Sequence, residues 1–534
     1  MKNKLWVAPL ALTFALGACE DMLEEKPVSF ITTATYYNTA DDLEKGMLSG
    51  WGSLRSVFPG SYNGITGFMG NMSDQERADP NEVNSPRNVA GLDFTASAMQ
   101  NLDVAWQNLY RVIYRENIVL SRADNATGDA ARKAAIVAEA KFLRGYAYMW
   151  LDRMHSAGNK LTDPSVPLIL TEEEHANKEV TRATSAEVHA AIIKDLTEAE
   201  AALPTASQRG TAGRGRITKG GAQMALADLY LWRSSYLGLN EWDKVVEWTQ
   251  KVIDSNQYGL VQTGFFNVFN PGVKAANNEN IFFMVATGAA GRQNSAYINA
   301  YGPRQLGFNV GGGFGVNQVT EWHLSTYAPG DIRGRVGPVP VVGTRQSDTV
   351  AYRNYGCSTG RVTGFTDAGG TCGPVTTMPY RFRATELQAG NGNVDVSHYR
   401  YAETLLMNAE AKAQLGQTAA ALEMVNRVRA RARRGATGTD NRVEPRDFVG
   451  LSGHALVDSI FMERNRELAH EGKRWIDMVR HDSQHPGYWT EALRHDPQST
   501  SIVPNAPEQL FKKRLPIPQR EIDLNAALTQ NPGY

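Results

Sequence analysis

Three glutamates recur one helical turn apart in "IFMERNRELAHEGKRWIDMVRH": Glu463, Glu467 and Glu471. Paired carboxylates could serve glycoside hydrolysis, one as acid and the other as base or nucleophile. A general acid, however, needs a raised pKa and an apolar setting, and Arg464, Arg466 and Arg474 lie in the same stretch. Carboxylates interleaved with guanidiniums stay ionised, so the expectation is an ion-paired structural cluster and no catalytic residue. His481 and His485 stand four apart, which suits two metal ligands on one helix face. Pro486 follows at once and "HDSQHPGY" reads as chain already leaving a helix, so a surface pair is expected and no metal. "GGGFG" (Gly311 to Gly315) lacks the Lys-Ser/Thr of a phosphate loop and reads as a flexible turn. Separated Ser, His and Asp residues define no triad, and no cofactor is expected.

Recognition is better served than catalysis. A sugar offers an apolar face and a rim of hydroxyls, so its site needs aromatic platforms beside a few polar side chains. "SYNGITGFMGNMSDQERADPNE" supplies Tyr62, Phe68, Asn71, Asp74, Arg77 and Asp79 in a Gly-punctuated loop. "NSAYINAYGPRQLGFNVGGGFG" supplies Tyr297, Tyr301, Arg304, Gln305 and Phe308. Each aromatic could equally anchor its own loop to the core. Trp322, in "VTEWHLSTY", reads as packing, and Trp106, Trp150 and Trp232 as core by periodicity.

The elements that must carry these residues are mostly helical. Leu102, Trp106, Leu109, Ile113 and Leu120 mark one face of an amphipathic helix, and Ile136, Ala140, Leu143, Ala147 and Leu151 mark another. "SAEVHAAIIKDLTEAEAAL" reads as a helix with Ser185 as N-cap, and "TKGGAQMALADLYLWRSSY" as a fourth. "AQMALADLYLWRSSYLGLNEWDKVVEWTQKVIDS" has the helix, short turn, helix pattern of a tetratricopeptide unit, and "YAETLLMNAEAKAQLGQTAAALEMVNRVRARA" repeats it. The basic "RVRARARR" (Arg427 to Arg434) is expected on the solvated face and end of that last helix. Residues 286–395 differ in character, with 20 of the chain's 49 glycines, and should form a loop-rich insertion.

The chain has 534 residues and a formal net charge of -1, enough for a large core and too little positive charge for nucleic acid as a partner. Residues 5–18 form an apolar run behind Lys2 and Lys4, too short to span a bilayer and placed as a signal sequence. It ends Leu16, Gly17, Ala18, Cys19, which resembles the lipobox of bacterial lipoproteins. That resemblance implies cleavage before Cys19, palmitate and other acyl chains on it, and a membrane-anchored mature chain. An acidic segment follows, with Glu20, Asp21, Glu24 and Glu25 in a tether over 19–40. Outside the cytoplasm the remaining cysteines, Cys357 and Cys372, favour a disulfide, worth about 3 kcal/mol in the chain-entropy model.

Several motifs, in order along the chain, resemble the SusD/RagB family of outer-membrane nutrient-uptake lipoproteins. They are "WQNLYRVIYRENIVL", "AEAKFLRGYAYMWL", "VTRATSAEVHAAIIKDLTEAEAAL", "GRITKGGAQMALADLYL", "VTEWHLSTYAPGDIRGR" with Asp331 and Arg333, "YRYAETLLMNAEA", the Glu463 helix, and the closing "RLPIPQREIDLNAALTQNPGY". The resemblance implies a mainly α-helical fold in which tetratricopeptide-like helix pairs carry a Gly-rich, loop-rich insertion. The expected organisation is a signal peptide (1–18), an acidic tether (19–40), an N-terminal helical part (41–285), a ligand-binding insertion (286–395) and a C-terminal helical part (396–534). The implied function is non-catalytic: a lipid-anchored, surface-exposed protein of the outer membrane that binds a nutrient oligomer, an oligosaccharide or in some branches a peptide. It would pass that ligand to a SusC-like TonB-dependent transporter. The acidic residues after Cys19 resemble the family's export tag to the outer face. A hydrolase using the Glu463 cluster and a purely structural tetratricopeptide adaptor are the rivals from other classes.

Overall fold

A computed structural model describes residues 36–58, 64–78, 85–94, 96–177, 179–287, 317–334, 352–353, 375–376, 393–434, 443–495 and 509–534. Tyr62, Tyr297, Tyr301, Arg304, Gln305, Phe308, Asp79 and all three cysteines, Cys19, Cys357 and Cys372, lie outside them.

Among the described residues ten helices have eleven residues or more: α1 (Ala40–Val57), α2 (Ala96–Arg122), α3 (Ala130–His155), α4 (Ser185–Ala202), α5 (Lys219–Ser235), α6 (Trp242–Asp254), α7 (Tyr401–Gln414), α8 (Thr418–Ala432), α9 (Gly453–Glu467) and α10 (Arg474–Gln484). From α1 to α8 each helix packs on the next in chain order, α9 returns onto α7, and α10 returns onto α5. Stacking of this kind buries what a single pair leaves exposed. Both expected tetratricopeptide-like pairs form, as α5–α6 and α7–α8. Their turns are short because Gly238 and Gly416 take positive φ. Trp106, Trp150 and Trp232 are all core.

Local chemistry sets the ends. Thr39 caps α1 in a reciprocal pair with Asp42, and Thr184 caps α4 with Glu187. The cap of α4 is thus Thr184 and not Ser185, because only Thr184 has an acceptor three residues ahead to complete the box. The tether is already docked at its end: Asn38 O accepts from Thr127 N at 2.8 Å, and Ala40 N donates to Thr127 O at 2.8 Å.

Strands are few and short: β1 (Glu76–Ala78), β2 (Pro164–Pro167), β3 (Arg182–Thr184), β4 (Asn280–Met284), β5 (Asn317–Val319), β6 (Tyr352–Arg353), β7 (Val375–Thr376) and β8 (Val396–Arg400). They pair antiparallel as β1–β5, β2–β3, β4–β8 and β6–β7. The C-terminal signature closes the fold on α3 and α5. Leu515 N donates to Met154 O at 2.7 Å, Asn531 Nδ2 bonds both His155 O and Leu515 O, and Arg514 lies 4.7 Å from the centre of the Trp232 ring. The Tyr534 hydroxyl donates back to Arg514 O at 2.6 Å. No helix among the described residues is long and apolar enough to cross a membrane.

Candidate functional site

The Glu463 cluster is a buried ion-pair network, with the Glu463 and Glu467 side chains fully shielded from solvent. Arg333 Nη1 meets Glu463 at 2.6 Å and Glu467 at 3.1 Å, while its other nitrogens clasp Asp331. Arg400 reaches Glu467 at 2.6 Å, Glu471 at 2.8 Å and Glu279 at 2.9 Å. Arg431 joins Glu279 to Glu467, and Arg429 adds a further pair to Glu463. Burial alone would raise the Glu467 carboxyl, but Arg431, Arg400 and Arg333 outweigh it and hold it at about 2. A group so held gives up no proton near neutrality, which removes it as a general acid.

The guanidiniums that pair these carboxylates are not the neighbours in sequence. Arg464 turns to Asp477 and Glu403, and Arg474 to Asp74; only Arg466 touches the cluster, at 3.3 Å from Glu463. The basic run likewise departs from expectation. Arg429 and Arg431 are buried in the network, Arg427 is half-buried against the Tyr401 hydroxyl, and only the end of the run, Arg433 beside Asp447 and the exposed Arg434, reaches solvent. The reason is charge balance: four interior glutamates attract two cations from the return helix that periodicity alone would leave in water.

The first predicted recognition loop is also drawn inside. Phe68 is 2% exposed on the short helix Ile65–Asn71, and Asn71, Asp74 and Arg77 are buried too. Asp74 accepts two hydrogen bonds of 2.7 Å from Arg474, and burial, which opposes ionisation, is outweighed there by that guanidinium. Arg77 sits in β1 opposite Gln318, while Asn71 Nδ2 approaches Asn317 Oδ1 at 3.5 Å. These four side chains position the loop and offer no open platform. What they achieve is a juxtaposition. The β1–β5 ladder ties Glu76–Ala78 to Asn317–Val319, which come soon after the second predicted recognition segment in the chain. Trp322, half-buried, stacks on His495 at 4.2 Å, which fits the packing role read for it.

The insertion leaves and rejoins the scaffold at one neck. Strand β4 pairs with β8, so Met284 faces Val396. Arg55 donates to Val285 O at 2.7 Å, Lys274 to Asn393 O at 3.1 Å, and Ala286 N to Asp395 at 3.0 Å. Beside this neck open two adjoining clefts, of about 200 and 240 Å³, which share Arg214, Gly215, Arg216 and Phe283. One adds Tyr258, Asn277 and Asn278, the other Trp51 and Arg55. Apolar ring faces beside amide and guanidinium donors can hold a polar, ring-shaped ligand. Sequence reading missed this face; the Arg and Gly alternation in "SQRGTAGRGRITKG" was its signal.

Of the histidine pair expected on the surface, His485 is partly exposed and His481 is buried. The helix α10 runs to Gln484 with His485 as its C-cap, so Pro486 ends it one turn later than the reading supposed. His481 is only 5% exposed, stacked on Phe461 at 3.9 Å and on His485 at 4.3 Å. Burial, with His485, Arg480 and Arg474 close by, pushes its imidazole down to about 2.

Stacked helix pairs with a few short antiparallel strands make up the described residues, and solved SusD superfamily proteins share this fold. Solved members superpose on nearly the whole chain. A SusD homolog from Bacteroides thetaiotaomicron matches with a TM-score of 0.70 at 19% identity, covering 94% of this chain and 98% of its own. A laminarin binding SusD-like protein matches with a TM-score of 0.67 at 22% identity, covering 93% and 100%. In sequence, the SusD family matches residues 347–534, and the family described as starch-binding associating with outer membrane matches 65–231. SusD-like protein P25 of Formosa agariphila is 25% identical over the full length of both chains. The chain belongs to the SusD/RagB family.

Proposed function

We propose that this protein is a non-catalytic, surface-exposed lipoprotein of the outer membrane that binds an oligosaccharide and delivers it to a SusC-like TonB-dependent transporter. The observation that carries the reading is the family match, which on its N-terminal side is to a family described as starch-binding and outer-membrane associated. The laminarin-binding protein of the same fold supports a glycan over a peptide as the nutrient class. The pairing of the Glu463 cluster with arginines supports a binder over a hydrolase. Ligand contact is assigned to Tyr62, Tyr297, Tyr301, Arg304 and Phe308, with the clefts beside Trp51 and Arg214 as a second face. Phe68, Asn71, Asp74 and Arg77 hold the first loop in place. The anchor is the lipid on Cys19, and Cys357 and Cys372 close a loop of the insertion by a disulfide.

A glycan array, followed by calorimetry on the glycans it selects, tests the reading. Saturable binding that Tyr297→Ala and Tyr301→Ala weaken at least tenfold supports it. Binding of peptides alone, or turnover of any glycan, counts against it. Replacing Cys19 by Ala should move the protein out of the membrane fraction.

A further inference from the structure

The cleft between the end of α10 and the middle of α9 has no part in the reading above. It is an open groove of about 680 Å³, walled by Phe461, Met462, Gln484, Tyr488 and Glu491. At its floor two imidazoles from one helix meet a carboxylate from the other. Asp458 Oδ1 stands 3.7 Å from His481 Nε2 and 3.5 Å from His485 Nε2. That oxygen is shielded from solvent and has no hydrogen-bond partner. A donor atom from each of the three side chains lies within 4.8 Å of the other two.

Two features make this more than a surface ion pair. An oxygen with no hydrogen bond, facing two ring nitrogens beyond hydrogen-bond range, is an arrangement that costs free energy unless something occupies the centre. The spacing also fits a small cation. Bonds of about 2.0–2.1 Å from a tetrahedral centre place neighbouring ligand atoms about 3.3 Å apart, so the observed oxygen–nitrogen gaps need close by only a few tenths of an ångström. Ring contacts fix the His481 imidazole in place. Phe461 stacks on His481 at an interplanar angle of 11°, and the Tyr488 ring stands edge-on to it at 4.7 Å.

We propose that Asp458, His481 and His485 form a binding site for one divalent first-row transition metal of the zinc class, with a coordination position left open toward the groove. Two imidazoles and one carboxylate oxygen are too rich in nitrogen for calcium or magnesium, which take oxygen donors. His454, one turn before Asp458, brings a further imidazole to within 6.2 Å of the His485 ring, centre to centre. The site also reaches the recognition loop: Tyr488, on the groove wall, accepts a hydrogen bond of 2.6 Å from Arg474, which itself clasps Asp74.

Cobalt(II) is the probe, because its visible absorption reports both binding and geometry. Tag-free protein titrated with cobalt should bind one ion per chain with a nitrogen–oxygen spectrum, be displaced by zinc, and be untouched by calcium or magnesium. Asp458→Asn and His485→Ala alter partly exposed side chains, leave the Phe461–His481 stack in place, and should each weaken cobalt binding at least tenfold. Calorimetry with zinc alone should show the same losses. The proposal is overturned if wild-type protein binds no cobalt, if both variants bind it as tightly as wild type, or if calcium displaces it. Because no glycan enters these measurements, their failure would leave the glycan-binding reading as it stood.

Discussion

Glu467 is the carboxylate at the centre of the buried network, and replacing it with Gln keeps its shape while removing its charge. Three guanidiniums, from Arg333, Arg400 and Arg431, converge on it. Its pKa falls from 4.5 to about 2 on folding, and at 1.36 kcal/mol per unit that displacement corresponds to about 3 kcal/mol. Breaking a buried ion pair from one side costs a similar ~3–5 kcal/mol, because the partner charges remain buried. The sign follows from the direction. A carboxyl with a depressed folded pKa contributes fully above pH 4.5 and loses that contribution as pH falls toward 2. Glu467→Gln should therefore be less stable by about 3 kcal/mol at pH 7, and the gap should shrink by more than a third by pH 3.5. Urea unfolding followed by tryptophan fluorescence at pH 7, 5 and 3.5 reads both quantities, since Trp475 and Trp489 are fully buried nearby in the chain. A variant within about 0.5 kcal/mol of wild type at pH 7 would refute the reasoning. So would a large gap that does not move with pH, since it would point to shape and not charge.

Glu116 should behave in the opposite way. It is wholly buried, neither carboxyl oxygen has a hydrogen-bond partner, and burial pushes its pKa well above 4.5. A raised folded pKa gives stability that is complete below 4.5 and is lost as pH rises, so Glu116→Gln should gain about 1 kcal/mol or more at pH 8 and little at pH 4. Thermal melts at the two pH values check this, and a loss at pH 8 would count against it. Room for that carboxyl comes from Gly50, where an added Cβ would fall 1.7 Å from Glu116 Oε1, so Gly50→Ala should sharply lower the melting temperature and Glu116→Ala should restore part of it. Gly472 holds φ at +73°, and a Cβ there would come within 2.8 Å of Thr66 Cγ2. Gly472→Ala should cost about 1–3 kcal/mol by chemical denaturation, and a neutral result would mean the turn before α10 is not fixed.

Helices and their pairing were legible in the sequence because they rest on local signals. The 3.6-residue apolar period fixed the faces around Trp106, Leu143 and Leu405, and all three are buried as it requires. Ion pairing was legible in kind but not in partner. The interleaving of Glu463 and Glu467 with arginines announced ionised carboxylates, yet apart from Arg466 their partners come from positions 333, 400, 429 and 431, and no period links those to α9. The same distance in sequence hid Asp458 from His481 and His485, so the pair looked like two surface side chains. The recognition loop failed for a different reason. Aromatic and polar residues punctuated by Gly suit an exposed platform and a buried brace equally, and only the register with Asn317–Val319 separates the two.

That register and the charge network point to one physical division of labour. The network draws Glu279 from before the neck, Asp331 and Arg333 from inside the insertion, Arg400 from the end of β8, Arg429 and Arg431 from the second helix pair, and Glu463, Glu467 and Glu471 from the family signature. A hydrophobic contact fixes distance loosely, whereas bidentate guanidinium–carboxylate pairs fix direction as well. Such pairs therefore suit a junction where segments far apart in sequence must hold one orientation. The insertion is pinned at its neck by the β4–β8 ladder and again through Arg333, which joins Asp331 to Glu463 and Glu467. A junction built this way holds the helical scaffold and the strands at its edge in one orientation. The signature that identifies the family is thus also where the carboxylates of this junction lie.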